Sequence, residues 1–366
     1  MLDLFKRIAI HFFEGANVMA ALLLLLCGLS STLSPAEHPR LALFCLGFPL
    51  LLLLNIAFVF FWLVFQVRKV WIALLGLLCS GTFIYSYCPL NFPEKVPEES
   101  LKLLTYNTKS FGGSKIDENG HNAVLDYLLQ SDADIICLQE ALPAYKLKIE
   151  DIDRQMTDSG YHCIDFNDLS SNSGLRGDQR VYSKLPVLSV ESVVDASAGN
   201  GAMAVRLLYE NDTILLINNH LESYRLTMED KQHYKDILKE PEGAKTEENS
   251  RALLNKMANV SRLRGPQVDS VLYYIKHSNL DAVITCGDFN DSPVSYPCHK
   301  LSECLKDAYR ESGNGLGFSY VDKGFYFRID HIFVSDYWQT YGTHIDKTIT
   351  ASDHYPMITY LRKCKK

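Results

Sequence analysis

The chain has 366 residues, too many for one average domain, and its ten cysteines include no Cys-x-x-Cys pair and no zinc-ligand spacing. Charge is divided unevenly: the first ninety residues carry +2, from Lys6, Arg7, Arg40, Arg68 and Lys69 against Asp3, Glu14 and Glu37, and the remainder carries −9. So acidic a remainder is a poor non-specific binder of nucleic acid, because phosphate contacts rest on Lys and Arg; a local basic patch or a divalent cation would have to offset the field.

Three apolar blocks come first, Asn17 to Leu33, Leu41 to Phe65 and Val70 to Tyr87. None contains a charge, and each approaches or exceeds the ~18 to 20 residues that cross a hydrocarbon layer. This predicts three transmembrane helices within a membrane anchor of residues 1–90, in contact with lipid over residues 17–87. A cleaved signal peptide would account for the first block alone. Lys6 and Arg7 precede the first span and Arg68 with Lys69 fill the second loop, whereas the first loop holds only Arg40. The positive-inside rule then puts the amino terminus and the second loop in the cytoplasm. Everything after Tyr87 falls on the periplasmic or extracellular side of a plasma or inner membrane, with Phe83, Tyr85 and Tyr87 as an interfacial aromatic belt. Residues 91–100, with Pro93 and Pro97, read as a short stiff linker.

The globular part, residues 101–366, opens with an apolar strand from Leu101 that ends in Asn107. A turn-rich segment around Phe111-Gly112-Gly113-Ser114 follows, then an amphipathic helix from His121 to Gln130. Ile135-Ile136-Cys137-Leu138 is a second buried strand, closing in Gln139-Glu140; a buried glutamate there calls for a cation or a basic partner. Ser183 to Val187 reads as a turn between strands, and Val205 to Leu208 with Thr213 to Asn218 as a hairpin around Asn211-Asp212. A charged helical stretch from Tyr224 to His277 is expected to break near Pro241 and Gly243 and again at Gly265-Pro266, its later half packing Val268, Val271, Leu272 and Ile275 inward. Val283 to Asp288 is a buried strand that stops at a glycine, an acid, an aromatic and an amide. Period-2 alternation puts Asp288 and Asn290 on one side and Phe289 on the other. Cys298 and Cys304 are spaced for a local disulfide if this part lies outside the cytosol. Strands alternating with helices, together with hairpins, predict an α/β sandwich.

Collected, the strand ends supply Asn107, Glu140, His220, Asp288, Asn290, Asp330, Asp353 and His354. This set resembles the endonuclease/exonuclease/phosphatase superfamily, which includes deoxyribonuclease-I-like enzymes, apurinic endonucleases, neutral sphingomyelinases and inositol polyphosphate 5-phosphatases. The resemblance is carried by Leu104-Thr105-Tyr106-Asn107, Ile135 to Glu140, Asn219-His220-Leu221, Gly287-Asp288-Phe289-Asn290, Arg328-Ile329-Asp330 and Ser352-Asp353-His354. It implies a four-layer α/β sandwich, two mixed β-sheets flanked by helices, here preceded by three transmembrane helices. It also implies divalent-metal-dependent hydrolysis of phosphate esters in a cleft at the sheet edges.

Donor chemistry agrees with that implication. Hard oxygen ligands without cysteine suit Mg²⁺, or Mn²⁺, held by Glu140 with Asn107 and Asp353. Asp288 and His354, the latter oriented by Asp330, are the candidates to deprotonate water, and Asn290 and His220 the hydrogen-bond donors to phosphate. Arg176 and Arg180 are candidate phosphate contacts set against a reading as solvated loop arginines. The expected substrate is a phosphoester, either a lipid head group or nucleic acid; the alternative is a catalytically silent phosphate-binding or signalling module on the anchor.

Overall fold

The computed structural model describes residues 2–166, 177–197, 200–230, 232–233, 244–322 and 324–364. Fourteen strands are found among them: β1 (Leu101–Asn107), β2 (Ile135–Gln139), β3 (His162–Asp165), β4 (Arg180–Ser183), β5 (Val187–Ser197), β6 (Asn200–Tyr209), β7 (Asp212–His220), β8 (Ala282–Asp288), β9 (Lys306–Asp307), β10 (Tyr320–Asp322), β11 (Phe325–Phe327), β12 (Asp330–Val334), β13 (Trp338–Ile345) and β14 (Met357–Lys363). They form two mixed six-stranded sheets, β13-β14-β1-β2-β4-β3 and β5-β6-β7-β8-β12-β9, with β10-β11 as a separate hairpin. Each sheet has one parallel pair at its heart, β1 with β2 and β7 with β8. Parallel strands need cover on both faces, and the middles of these four are mostly apolar for that reason.

Leu103, Cys137, Val205, Leu216, Ile284 and Ile332 fill the space between the sheets. Outside the first sheet, the helices Ala123–Ser131 and Ile149–Asp158 pack Leu125, Leu128, Ile152 and Met156 onto Leu104, Ile136 and Tyr182. Outside the second, the helices Ala244–His277 and Tyr296–Leu301 cover Leu215, Ile217, Val283 and Phe333. The result is the four-layer sandwich. A buried amide pair ties the sheets together below their carboxyl ends: Gln139 Nε2 donates to Asn218 Oδ1 at 2.6 Å, and Asn218 Nδ2 to the Leu138 carbonyl at 3.0 Å.

The helix Ala244–His277 runs through Pro266 without the expected break. An interior proline costs ~3 kcal/mol; here Val268, Val271, Leu272 and Ile275, buried beyond it, offset that cost. Gly265 is held close to the amino-terminal segment, where an added Cβ would lie 3.1 Å from Pro35 Cδ. Pro241 and Gly243 lie outside the described residues. The hairpin β6–β7 is present, with the turn at Glu210-Asn211 and Tyr209 opposite Asp212. Cys298 and Cys304 are free, and the conditional pairing between them is not made: Cys298 is buried in the core and Cys304 is exposed.

The amino-terminal region holds two helices long and apolar enough to cross a membrane, Leu4–Thr32 and Pro39–Phe65, where three were expected. The third block is broken: Val67–Cys79 and Gly81–Tyr87 meet at 65°, so it counts as a span only if the bent pair is taken together. The break falls at Ser80-Gly81, a pairing that commonly bends helices. Large apolar side chains face outward, among them Leu50, Leu53, Phe60, Val64 and Leu78. Polar ones face inward, where Trp62 Nε1 donates to Asn17 Oδ1 at 2.9 Å and Asn55 Nδ2 to the Ala20 carbonyl at 3.0 Å. This inverted pattern suits apolar surroundings.

The bundle is docked on the sandwich. Leu24, Cys27, Phe48, Leu52 and Tyr87 share one cluster with Val294, and Arg328 donates to the Ser86 carbonyl. Tyr87, expected at a lipid interface, is buried in that contact. Asn91 Nδ2 donates to the carbonyls of Arg310 and Gly313 at 2.9 and 2.7 Å, so the expected linker is pinned at its start.

Candidate active site

Three neighbouring strands of the second sheet bring a histidine and two acids into one row. His220, the last residue of β7, stands opposite Asp288, the last of β8; Asp330, the first of β12, stands opposite Asp288 on the other side. Residues in register on adjacent strands point to the same face, so the row is a product of strand pairing. Gly287 makes the close approach possible: its φ is 129°, and a Cβ there would lie 2.0 Å from the Asn219 carbonyl oxygen. From the first sheet, Asn107 closes β1 beside Gln139, and Glu140 follows β2 with φ 49°. Asn107 Nδ2 bridges the sheets, donating to Asp288 Oδ2 at 3.0 Å and to Glu140 Oε1 at 3.2 Å.

Asp288 lies between two imidazole–carboxylate pairs. His354 Nδ1 is 2.8 Å from Asp330 Oδ2, with its Nε2 3.7 Å from Asp288 Oδ2. His220 Nδ1 is 3.0 Å from both oxygens of Asp178, with its Nε2 3.9 Å from Asp288 Oδ2. Burial opposes charge on both rings, but the neighbouring carboxylates prevail: His354 is pushed up to about 10, by Asp330 and then Asp288, and His220 to about 9, chiefly by Asp178. Burial pushes the Asp288 carboxyl up to about 6, against the pull of His354 and His220 and of the Asn107 hydrogen bond. The carboxylates around the two rings thus favour their charged forms, and the rings in turn favour the ionised form of Asp288.

Asn290 does not continue the strand. Its backbone is left-handed, with φ 53°; its amide N–H donates to Asp288 Oδ1 at 2.8 Å and its side chain to the Leu221 carbonyl at 3.0 Å. The expected alternation thus stops at Asp288, although Phe289 is buried in the core as anticipated. The Asp353 carboxylate pairs with Lys109 at 2.7 Å. Lys109 belongs to a run with positive φ from Lys109 to Ser114, directly after Asn107. Such conformations cost roughly 1–2 kcal/mol per non-glycine residue. Buried Phe111 and hydrogen bonds from Ser110 N to the Glu140 carbonyl and from Asn122 Nδ2 to the Phe111 carbonyl hold the run in place.

Arg180, proposed as a phosphate contact or a solvated loop residue, is neither. It is buried in β4, with Nη1 at 2.6 and 2.7 Å from the two Asp153 oxygens and Nη2 paired with Asp165. Arg176 lies outside the described residues. Asp178 was missed from the sequence: it precedes a strand of only four residues and carries no motif.

Among the described residues, Asp288, Asp330 and His354 each offer a ligand atom within 4.8 Å of the others, a second candidate metal group beside the expected Asn107, Glu140 and Asp353. The carboxylates of Asp178, Asp288, Asp330 and Glu140 stand around the two imidazoles of His220 and His354. Glu140 forms no ion pair with a Lys, Arg or His among the described residues, and Asp330 Oδ1 is buried without a hydrogen-bond partner. A donor set this rich in carboxylate oxygen fits a hard divalent cation.

Residues 104–354, more than two thirds of the chain, match the Endonuclease/Exonuclease/phosphatase family. The chain belongs to this family. Residues 10–87 match a separate family described as a domain of unknown function (DUF8431). No curated protein is matched. Among solved structures, the human Nocturnin catalytic domain is 15% identical, with a TM-score of 0.51 over 74% of this chain and 97% of its own. Humanized D. rerio TDP2 is 15% identical, with a TM-score of 0.48 over 72% and 99%. An AP endonuclease from Archaeoglobus fulgidus is 15% identical, with a TM-score of 0.45 over 71% and 98%. At these identities the Nocturnin likeness speaks for the fold. Hydrolysis of phosphate esters, by nucleases and phosphatases, is the work of the family.

Proposed function

We propose that the chain is a membrane-anchored, divalent-metal-dependent phosphoesterase that cleaves a phosphodiester or phosphomonoester by attack of water. The observation that carries this reading is Asp288, buried with His354 Nε2 and His220 Nε2 at 3.7 and 3.9 Å from its Oδ2 and with the Glu140 carboxylate one amide away. Glu140 and Asn107 would hold Mg²⁺ or Mn²⁺, which supplies Lewis-acid stabilisation of charge on phosphate oxygen. Asp288 takes the proton of the attacking water. His354, anchored through Nδ1 by Asp330, favours the ionised form of Asp288 and donates from Nε2. His220, held by Asp178, donates to a phosphate oxygen, where a preorganised donor contributes most as charge builds. Asn290 fixes Asp288 through its backbone N–H.

The two long apolar helices are read as membrane spans, with the domain on the non-cytoplasmic face. A domain docked directly on such spans meets lipid head groups at high effective concentration. That favours a phospholipid-type phosphodiester, with nucleic acid as the second substrate class. The test is the full-length chain in neutral detergent, with EDTA or with added Mg²⁺ or Mn²⁺, on supercoiled DNA, RNA, sphingomyelin, phosphoinositides and a phosphomonoester. Metal-dependent turnover of one class is expected. Binding without turnover across the panel would make the chain a silent phosphate-binding module. Protease digestion of intact cells tests the orientation, and a fully protected domain would reverse it.

A further inference from the structure

The connection between the two long apolar helices and the helix Ala244–His277 border an open surface cavity of about 530 Å³, most of whose lining side chains are exposed. It is lined by His38, Pro39, Arg40 and Leu41 on one side and by Asn255, Ala258, Asn259 and Arg262 on the other. Two guanidinium groups, an imidazole and two carboxamides thus face one space, and no carboxylate lines it. In a globular part as acidic as this one, such a cavity is a local reversal of charge. Its two walls are already joined, since Arg40 Nη2 donates to Asn255 Oδ1 at 2.9 Å. None of the catalytic residues contributes to it.

Position along the chain supplies the second half of the argument. The first apolar helix runs to Thr32 and the next apolar stretch starts at Pro39, so the cavity sits where the chain leaves and re-enters its apolar segment. If these helices span the bilayer, as proposed above, that level is the lipid head-group layer. Leu41, at the mouth, is 56% exposed, and Leu254, one turn before Ala258, is 53% exposed. An apolar rim around a cationic, amide-lined floor is the complement of an anionic phospholipid, with phosphate against the arginines and acyl carbons against the leucines.

We propose that this cavity binds the phosphate of an anionic lipid head group, as a site separate from the catalytic cleft. The recognising chemistry is a phosphate anion held by Arg40 and Arg262, with Asn255 and Asn259 supplying amide hydrogen bonds. Occupancy would fix the docking of the anchor on the catalytic domain. Arg264, two residues beyond Arg262, carries the other side of that helix into the active-site region: its Nη1 meets Asp291 Oδ2 at 2.7 Å, next to Asn290.

The experiment uses the full-length chain in neutral detergent, titrated separately with dioleoyl phosphatidylglycerol, dioleoyl phosphatidylcholine and inorganic phosphate, with bound ligand counted by native mass spectrometry. Phosphatidylglycerol is expected to bind in preference to phosphatidylcholine. The Arg40→Gln/Arg262→Gln double variant is expected to weaken it roughly thirtyfold, from the usual contribution of two basic residues near an anionic lipid. Asn259→Asp, which places a negative charge in the cavity without removing the Arg40–Asn255 bond, should weaken it as well. Turnover of a small soluble phosphodiester should be unchanged in both variants, which shows that they fold. Equal phosphatidylglycerol binding by wild type and both variants would overturn the proposal. Saturation by inorganic phosphate with no binding of phosphatidylglycerol would overturn the lipid assignment. Flotation with neutral phosphatidylcholine vesicles separately tests the membrane reading: a chain that stays unbound there, yet loses phosphatidylglycerol in the variants, keeps the site and loses the anchor.

Discussion

The two imidazole–carboxylate pairs that flank Asp288 are alike in distance and charge and unlike in how the fold holds them. His354 leans on Asp330, which is fully buried and paired through β12 with β8 itself, so acid and partner move with the strand that carries Asp288. His220 leans on Asp178, a buried residue that lies outside any strand, two residues before β4. Its backbone is fixed by single contacts, Ala141 N to the Asp178 carbonyl at 2.7 Å and the neighbouring Gln179 side chain to the Gly201 carbonyl at 2.7 Å. The difference teaches that one side of the site is built into the sheet and the other is attached to it. The His354 side should tolerate change least.

The largest effect tests what the two sides share. Asp288→Asn keeps size and removes the base; a fall of about 10⁴-fold in kcat is expected, at the upper end of what general base catalysis contributes, with little change in the fold by circular dichroism. Retained turnover would take Asp288 out of the mechanism. Next come the rings. His354→Gln should cost about 10³-fold and His220→Gln about 10²-fold in kcat, the latter comparable to removing one preorganised donor. Equal losses would erase the asymmetry between the sides.

The same asymmetry governed what could be read from the residues. Asp288, Asp330 and His354 each lie beside a run of buried apolar residues, so strand period and an abrupt polar stop mark them. Register then does the rest: His220, Asp288 and Asp330 fall in one row because β7, β8 and β12 pair in step. Asp178 gave no such signal. Asp178-Gln179-Arg180 is polar, β4 is short, and the role of the acid depends on a histidine 42 positions away. Asp353 sits in a motif, but its pairing with Lys109 could not be read from the residues, because the chain from Lys109 to Ser114 takes a left-handed course that the sequence hints at solely in Gly112-Gly113. The unbroken helix through Pro266 is likewise a tertiary outcome, since close packing on Gly265 by Pro35 involves a partner far along the chain.

Removing only the charge that holds each ring gives a finer measure of the two sides. Asp330→Asn and Asp178→Asn should each cost between about 10- and 100-fold in kcat, the range for partners that orient a functional histidine, with Asp330→Asn the larger. The readout that separates orientation from mere structure is the ring itself. By NMR titration, His354 should lose part of its elevation above the usual histidine range in Asp330→Asn, and His220 in Asp178→Asn, each without a matching change in the other. A ring whose titration does not move is not held by that acid.

The smallest effect on activity is expected from Arg180→Leu, and it asks how Asp178 is held. Arg180 is two residues away and is committed to Asp153 and Asp165, both on the outer side of the first sheet. Replacing it leaves two carboxylates without their cation, and breaking a buried ion pair costs about 3–5 kcal/mol, so the thermal midpoint should fall by several degrees. The contacts that fix Asp178, through Ala141 N and Gln179, do not involve the guanidinium. Activity per folded molecule below the new midpoint should therefore stay within about twofold of wild type, well short of the loss that an orienting partner gives. A drop as large as that of Asp178→Asn would mean that the arginine cluster positions the acid through β4, and the side of the site described as attached would prove to be as firmly built as its counterpart.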